Sequence, residues 1–471
     1  MQSMRRANHK MLNFFFYPKT IAIIGATANP KKFGNAVTIN ILTNRNLASK
    51  LFLVSHNTVE ILGIKCYKSL LDINDEIDLA IILVPKKAVS QVIDDCIIKK
   101  VKGIIIVTSG FGEIDEEGKK AEIIIAEKCK KANIRVMGPN CVGIQNTQIG
   151  LNASFIQMPN PGNISMISQS GSIGCALFYA LERINLGISK FANIGNAMEI
   201  SFNEILDYFN NDATTKIIAL YLESLKEGIT FLNLMKKVTL NKPVIVLKGG
   251  RTSKGMKAAS SHTGSVATNY RIMKTAIHQS NALLCESMED FITAIKTLSL
   301  LPLPKGKNIG VLTNSGGSAV LFSDNAEGYG LTLTSFSDEL KQKIKPYLIP
   351  LVKIVNPLDM IASAAKEQYF QVTKAMLDDP DIDIVVAGCV IPPFLEMKRD
   401  EHYKGVIKAW NETGRKKPVI PMFLFSQNFE DLNYYANKEQ APIFFTPKEA
   451  AFAIKILIEQ VKTQEEMKNL V

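Results

Sequence analysis

The 471-residue sequence predicts an α/β protein of three tandem Rossmann-like or flavodoxin-like domains with mainly parallel sheets. Three observations point there. Short apolar runs alternate with stretches of helix length, which is the rhythm of βαβ units. The rhythm breaks off and restarts twice, each time after a junction rich in proline and glycine. A composition of 46% hydrophobic and 21% charged residues suits a folded chain, and this length calls for about three domains.

The first set of apolar runs is 21–24, 51–54, 79–84, 103–107 and 134–137, with helical stretches such as 88–100 and 116–132 between them. A second set follows Met158-Pro-Asn-Pro-Gly-Asn163, at 164–167, 217–222 and 244–247. A third follows Leu301-Pro-Leu-Pro-Lys-Gly306, at 309–312, 384–387 and 419–424. These breaks place domains at 1–150, 151–302 and 305–471. Residues 1–10 read as a basic extension, with Met11 an alternative start. The apolar run Leu12–Tyr17 is shorter than a signal-peptide core and ends at Pro18-Lys19, directly before a strand.

Ligands of doubly wound sheets gather where strands end in turns. Gly25-Ala26-Thr27 follows the first strand, and Lys31-Lys32 adds positive charge beside the next helix start. The full G-x-G-x-x-G pattern is absent, and Ser55-His56-Asn57 supplies no carboxylate for a ribose diol, so a nicotinamide cofactor is excluded. Val84-Pro85 and Thr108-Ser109-Gly110-Phe111 end two further strands. Together these turns suit a phosphate-bearing nucleotide.

Two further turns resemble each other. Ser168-Gln-Ser170-Gly171-Ser172 opens the second domain and Asn314-Ser315-Gly316-Gly317-Ser318 the third, each between a strand and a helix. Unpaired N–H groups at such helix starts favour anions, although serine there also serves as a plain N-cap. Ser170 is not a hydrolase nucleophile by pattern, because Ser168 stands where G-x-S-x-G needs glycine. His262, one of five histidines, lies in Lys254-Gly-Met-Lys-Ala-Ala-Ser-Ser-His-Thr-Gly-Ser265, which reads as a small-residue loop with Gly249, Gly250, Gly255 and Gly264 as candidate hinges. A neutral imidazole can attack phosphorus; a surface loop histidine is the plainer reading of that residue alone.

As a set, these motifs resemble the ADP-forming acyl-CoA synthetases and the succinyl-CoA synthetase α subunit. The similarity runs from Met11 onward, through Gly25-Ala-Thr27, Val84-Pro85, Thr108–Phe111, Met137-Gly-Pro-Asn140-Cys-Val-Gly143, Asn193-Ile-Gly-Asn196, Tyr221-Leu-Glu223-Ser224, Leu247-Lys-Gly-Gly-Arg251, Ser261-His-Thr-Gly-Ser265 and Asn356-Pro-Leu-Asp359. The resemblance implies an acid–thiol ligase α subunit of the acetyl-CoA type. CoA would be its substrate, contacted by Gly25, Ala26, Thr27, Lys32, Val84, Pro85, Ser109, Gly110, Phe111 and Asn140. It implies that His262 becomes a phosphohistidine oriented by Glu223, and that Ser170, Gly171, Ser172, Ser315, Gly316 and Gly317 cradle phosphate. Two departures stand out: Ser55-His56-Asn57 replaces the family's Val-Asn-Pro-type turn, and Glu199 stands where an aspartate is common. The alternative is a silent CoA- or acyl-CoA-binding regulatory protein of the same fold.

No Walker A sequence occurs, and no length remains for the ATP-grasp domains of this family. A separate ATP-grasp β subunit would carry ADP and its Mg2+, making a hetero-oligomer acting on an acyl acid, phosphate and CoA. The seven cysteines form no C-x-x-C pair, which suits a reducing cytoplasm and no protein-bound metal. The net charge of +11 reads as lysine-rich solvated faces; zinc-finger spacing and RNA-binding signatures are absent, so nucleic acid is not expected. Nor is a membrane, since no apolar stretch is long enough to span one.

Overall fold

The computed structural model describes residues 12–44, 47–225, 227–263, 269–391 and 398–468. The chain divides into two compact units, residues 1–286 and 287–471.

The first unit holds two seven-stranded sheets. One runs in the order 60–61, 64–67, 50–54, 20–24, 79–82, 103–106, 135–137. Apart from the small hairpin at 60–67, its pairs are parallel. The runs Ala22–Ile24, Leu79–Ile82 and Ile104–Ile106 are buried on both faces, the burial that parallel strands between two helix layers require. The other sheet runs 283–285, 244–248, 217–222, 161–168, 188–193, 143–146, 151–154. Its strands are parallel up to Ile188–Asn193; the hairpin Gly143–Asn146 and Leu151–Ser154 then adds antiparallel strands. That hairpin straddles residue 150, so the chain passes from one sheet to the next earlier than the proline-rich break suggests.

The second unit has a four-stranded parallel sheet, 358–359, 309–313, 384–389, 419–423. Helix Met288–Leu300 packs on the C-terminal helix Pro447–Lys468. Buried Lys296 locks the pair, donating to Ile443 O at 2.6 Å and Glu449 Oε1 at 2.7 Å. No described helix is long and apolar enough to cross a membrane.

Helix starts follow ordinary capping chemistry. Ser170, Ser201, Ser287 and Ser315 each accept a backbone N–H of the turn they open. One sequence expectation is corrected. Residues 253–263, read as a loop, are helical. Lys254, Met256, Lys257, Ala258 and Ala259 are all strong helix formers, and that outweighs the small residues that suggested a loop.

Candidate active site

In the first sheet the carboxyl edge carries the three anticipated turns. Gly25 has φ +98°, and an added Cβ would lie 2.9 Å from the Leu83 carbonyl carbon, so only glycine fits where strand 79–82 ends beside it. Gly25 N and Ala26 N donate to Val54 O at 3.1 and 3.2 Å. Thr27 Oγ1 accepts from Asn29 N at 3.2 Å, and Thr27 O from Asn35 Nδ2 at 3.1 Å, which closes the turn onto helix Phe33–Leu42. Lys32, at that helix start, is exposed and free of a capping bond. Pro85 is exposed at the start of helix Lys86–Lys99, and Val84 O accepts from Thr108 Oγ1 at 2.7 Å.

Gly110 (φ +101°) shapes the next turn, and Ser109 is exposed on it. Glu113 accepts from Gly110 N at 2.5 Å and Phe111 N at 3.1 Å. Burial opposes ionisation of Glu113, yet these donors and Asn196 hold its carboxyl below the usual range. Phe111 is only 1% exposed and belongs to the core.

Asn140 follows the cis bond Gly138–Pro139, with φ +56°. Its N–H donates to Thr108 O at 3.0 Å and its Nδ2 to Asn196 Oδ1 at 3.3 Å. Asn196 Nδ2 reaches Glu113 Oε2 and Glu122 Oε1, both at 2.6 Å. Asn193 Oδ1 accepts from Val142 N at 2.7 Å, and its Nδ2 donates to Ser168 O at 2.8 Å. Thus the Asn140 loop is stitched to the turn at 168–172. There Ser168 Oγ donates to Ser170 O at 2.6 Å, and Ser170 Oγ lies 3.0 Å from Ser172 Oγ. Helix Gly171–Arg183 begins at this turn, so its first N–H groups, which lack acceptors within the helix, open there.

Glu223 lies at the end of the neighbouring strand, 6% exposed. Gln169 ties it to the same turn: Gln169 Oε1 accepts from Glu223 N at 2.5 Å and Ser224 N at 3.0 Å. Buried Lys248 donates to Glu223 O at 2.9 Å. Burial lowers the Lys248 ammonium pKa, and the Glu223 charge works the other way. The Tyr221 phenol lies near the Glu223 side chain; burial first, then that carboxylate, push its pKa up. The backbone of His262 is helical, while its side chain, together with Gly264 and Ser265, lies outside the described residues.

Glu199 is engaged elsewhere. It accepts from Arg135 Nε at 2.8 Å and Val136 N at 2.7 Å, and burial raises its carboxyl pKa despite that guanidinium. The second unit repeats the serine-glycine turn with a difference. Ser315 caps helix Gly316–Gly328, Gly317 faces open space, and an added Cβ at Gly316 would lie 2.9 Å from Asp359 Oδ2. A carboxylate therefore stands beside this turn. Among the described residues no cluster of three or more His, Cys, Asp or Glu side chains is placed to hold a metal.

Sequence reasoning quoted Tyr221, Gln169, Lys248, Asn193 and Asn196 within its motifs but gave them no role. Alternation along the strand was the available signal for Tyr221, since positions 221 and 223 share a face. The motifs that hold the others do not show their roles, because their partners lie on other loops.

Comparison with known proteins gives the family. Three family models match: a CoA binding domain over residues 19–147, a succinyl-CoA ligase like flavodoxin domain over 161–298 and a ligase-CoA domain over 309–456. The chain is 40% identical over 452 residues to the acetate–CoA ligase [ADP-forming] II subunit alpha of Pyrococcus furiosus, covering 96% of this chain and 98% of that one. It is 37% identical over 447 residues to the acetate–CoA ligase [ADP-forming] of Methanocaldococcus jannaschii, and there it spans 63% of a longer protein. Among solved structures, the dinucleotide-forming acetyl-coenzyme A synthetase 1 of Ca. Korarchaeum cryptofilum, in complex with phosphate and ADP, superposes with a TM-score of 0.90 at 32% identity, over 98% of this chain and 99% of that one. The chain belongs to the family of ADP-forming acetate–CoA ligases, as a counterpart of their alpha subunits.

Proposed function

We propose that this chain is the acyl-transfer half of an ADP-forming acyl-CoA synthetase and works through a phosphohistidine at His262. The supporting observation is the hydrogen-bonded network that joins the Asn140 loop, the Ser168–Ser172 turn and Glu223 at one end of the second sheet. CoA lies along Gly25–Thr27, Lys32, Val84–Pro85 and Ser109–Phe111, with its thioester toward Asn140. Phosphate attacks the acyl carbon, the C–S bond breaks, and the CoA thiolate leaves with an acyl phosphate formed. A ring nitrogen of His262 then attacks phosphorus; the N–P bond forms as the P–O bond to the carboxylate breaks and the acid departs. Glu223 holds the proton on the other ring nitrogen and so presents the attacking tautomer. N–H and hydroxyl donors of Ser170, Gly171 and Ser172 are pre-aimed at the phosphoryl charge. Ser315–Gly317 form the corresponding candidate cradle of the third domain.

The domain scheme 1–150, 151–302 and 305–471 is supported by the three family matches. An ATP-grasp β subunit supplies ADP and its Mg2+, giving a hetero-oligomer. A cytoplasmic location is supported by seven cysteines that form no disulfide, six of them buried.

The test is ATP formation from acetyl-CoA, phosphate and ADP by the chain reconstituted with an ATP-grasp β subunit. His262→Ala should abolish ATP formation and leave CoA binding intact. A wild-type chain that binds CoA yet never takes up phosphate is instead the silent binding protein.

A further inference from the structure

Glu223 has different neighbours at its backbone and at its carboxylate. Gln169 fixes the peptide: besides accepting from Glu223 N and Ser224 N, its Nε2 donates to Ser224 O at 2.9 Å. Lys248 fixes the carbonyl from the adjacent strand. The carboxylate has the Tyr221 phenol as a neighbour, two residues earlier on the same face of the strand. Gly249 lies across from this pair. An added Cβ there would sit 2.9 Å from Tyr221 Oη and 3.5 Å from Glu223 Cγ. Gly249 is not in the left-handed region, so an alanine at that position would meet the phenol rather than backbone strain.

We propose that Tyr221 is a positioning residue for the phosphoryl-transfer step: its hydroxyl donates to Glu223 and fixes the carboxylate, and Gly249 keeps the gap in which the phenol stands. The inference rests on the reading of Glu223 as the group that orients His262. A carboxylate on a flexible side chain samples several rotamers, and only one of them presents the histidine in the attacking tautomer. A charge-assisted bond from a phenol anchored in the sheet selects that rotamer without touching the substrate.

The experiment measures the rate of acid-labile labelling of the full chain by labelled acetyl phosphate, with CoA affinity and melting temperature as controls. Tyr221→Phe should slow labelling about tenfold with both controls unchanged. Gly249→Ala, which displaces the phenol, should slow labelling too, and adding Tyr221→Phe should make it no slower than Tyr221→Phe alone. In the Glu223→Gln background, Tyr221→Phe should cost nothing further, because it acts only through that carboxylate. A wild-type rate in Tyr221→Phe, or full multiplication of the two defects, overturns the inference. If Gly249→Ala melts early, the Tyr221 and Glu223 variants decide the matter alone. Label persisting in His262→Ala removes the underlying reading; label lost there with Tyr221→Phe unaffected removes only the role of Tyr221.

Discussion

Single residues at the carboxyl edges of the sheets are constrained by close approach as much as by chemistry. At Gly25, both the positive φ and the nearby Leu83 carbonyl exclude a side chain. Gly25→Ala should destabilise the first unit by about 1–3 kcal/mol and weaken CoA binding, as read by thermal melting and calorimetric titration. The turn residues Gly25, Pro85, Ser109 and Ser170 were legible in the sequence because each breaks an apolar run at the end where ligands gather, whereas Asn140 was reached only through the family resemblance. Tyr221 and Gln169 were not. Their value comes from what folding brings beside them; strand alternation puts Tyr221 on the face of Glu223, but nothing local shows what either residue touches.

At the scale of elements, apolar periodicity recovered the buried parallel strands and the helices 86–99 and 116–131. It passed over strands whose buried residues are polar. Gln145 is buried in the hairpin because its Nε2 donates to Asn152 Oδ1 at 3.1 Å and Ser154 Oγ at 3.0 Å. In Ile188–Asn193, Lys190 is 0% exposed, and its ammonium meets Asp212 Oδ2 at 2.9 Å and Thr214 Oγ1 at 2.8 Å. Burial works against Asp212 ionising, but Thr215, Lys190 and Thr214 hold its carboxyl below the usual range. Lys190→Met would strand that carboxylate, so it should cost about 3–5 kcal/mol in a denaturant titration. A loss under about 1 kcal/mol would mean that the two threonines satisfy Asp212 unaided.

For the whole molecule, the division into two units makes separate predictions. Because helix Met288–Leu300 is locked to the C-terminal helix through Lys296, a fragment starting at Ser287 should melt in one sharp transition. A fragment starting at Gly306 lacks that helix and should melt lower and more broadly. The second unit should also weaken in mild acid. His402 is fully buried there, with Nε2 2.9 Å from Ala364 O and no partner for Nδ1 among the described residues. Burial lowers its pKa, and the Ala364 bond and Glu401 only partly offset this. The unfolded chain therefore binds the proton first as pH falls below about 6.5, and stability conferred by the neutral ring is lost from there down through the folded pKa. The melting temperature of the 287–471 fragment should drop between pH 7.5 and 5.5, and His402→Phe should flatten that drop.

The central claim is that one imidazole carries the phosphoryl group. Peptide mapping of the intact chain by mass spectrometry, after brief exposure to acetyl phosphate under alkaline quench, tests it most directly. A single acid-labile phosphoryl group on a ring nitrogen of His262, absent in His262→Ala, is the predicted result. A chain that stays unmodified, or a phosphoryl group found on Ser170 or another residue, would contradict the account.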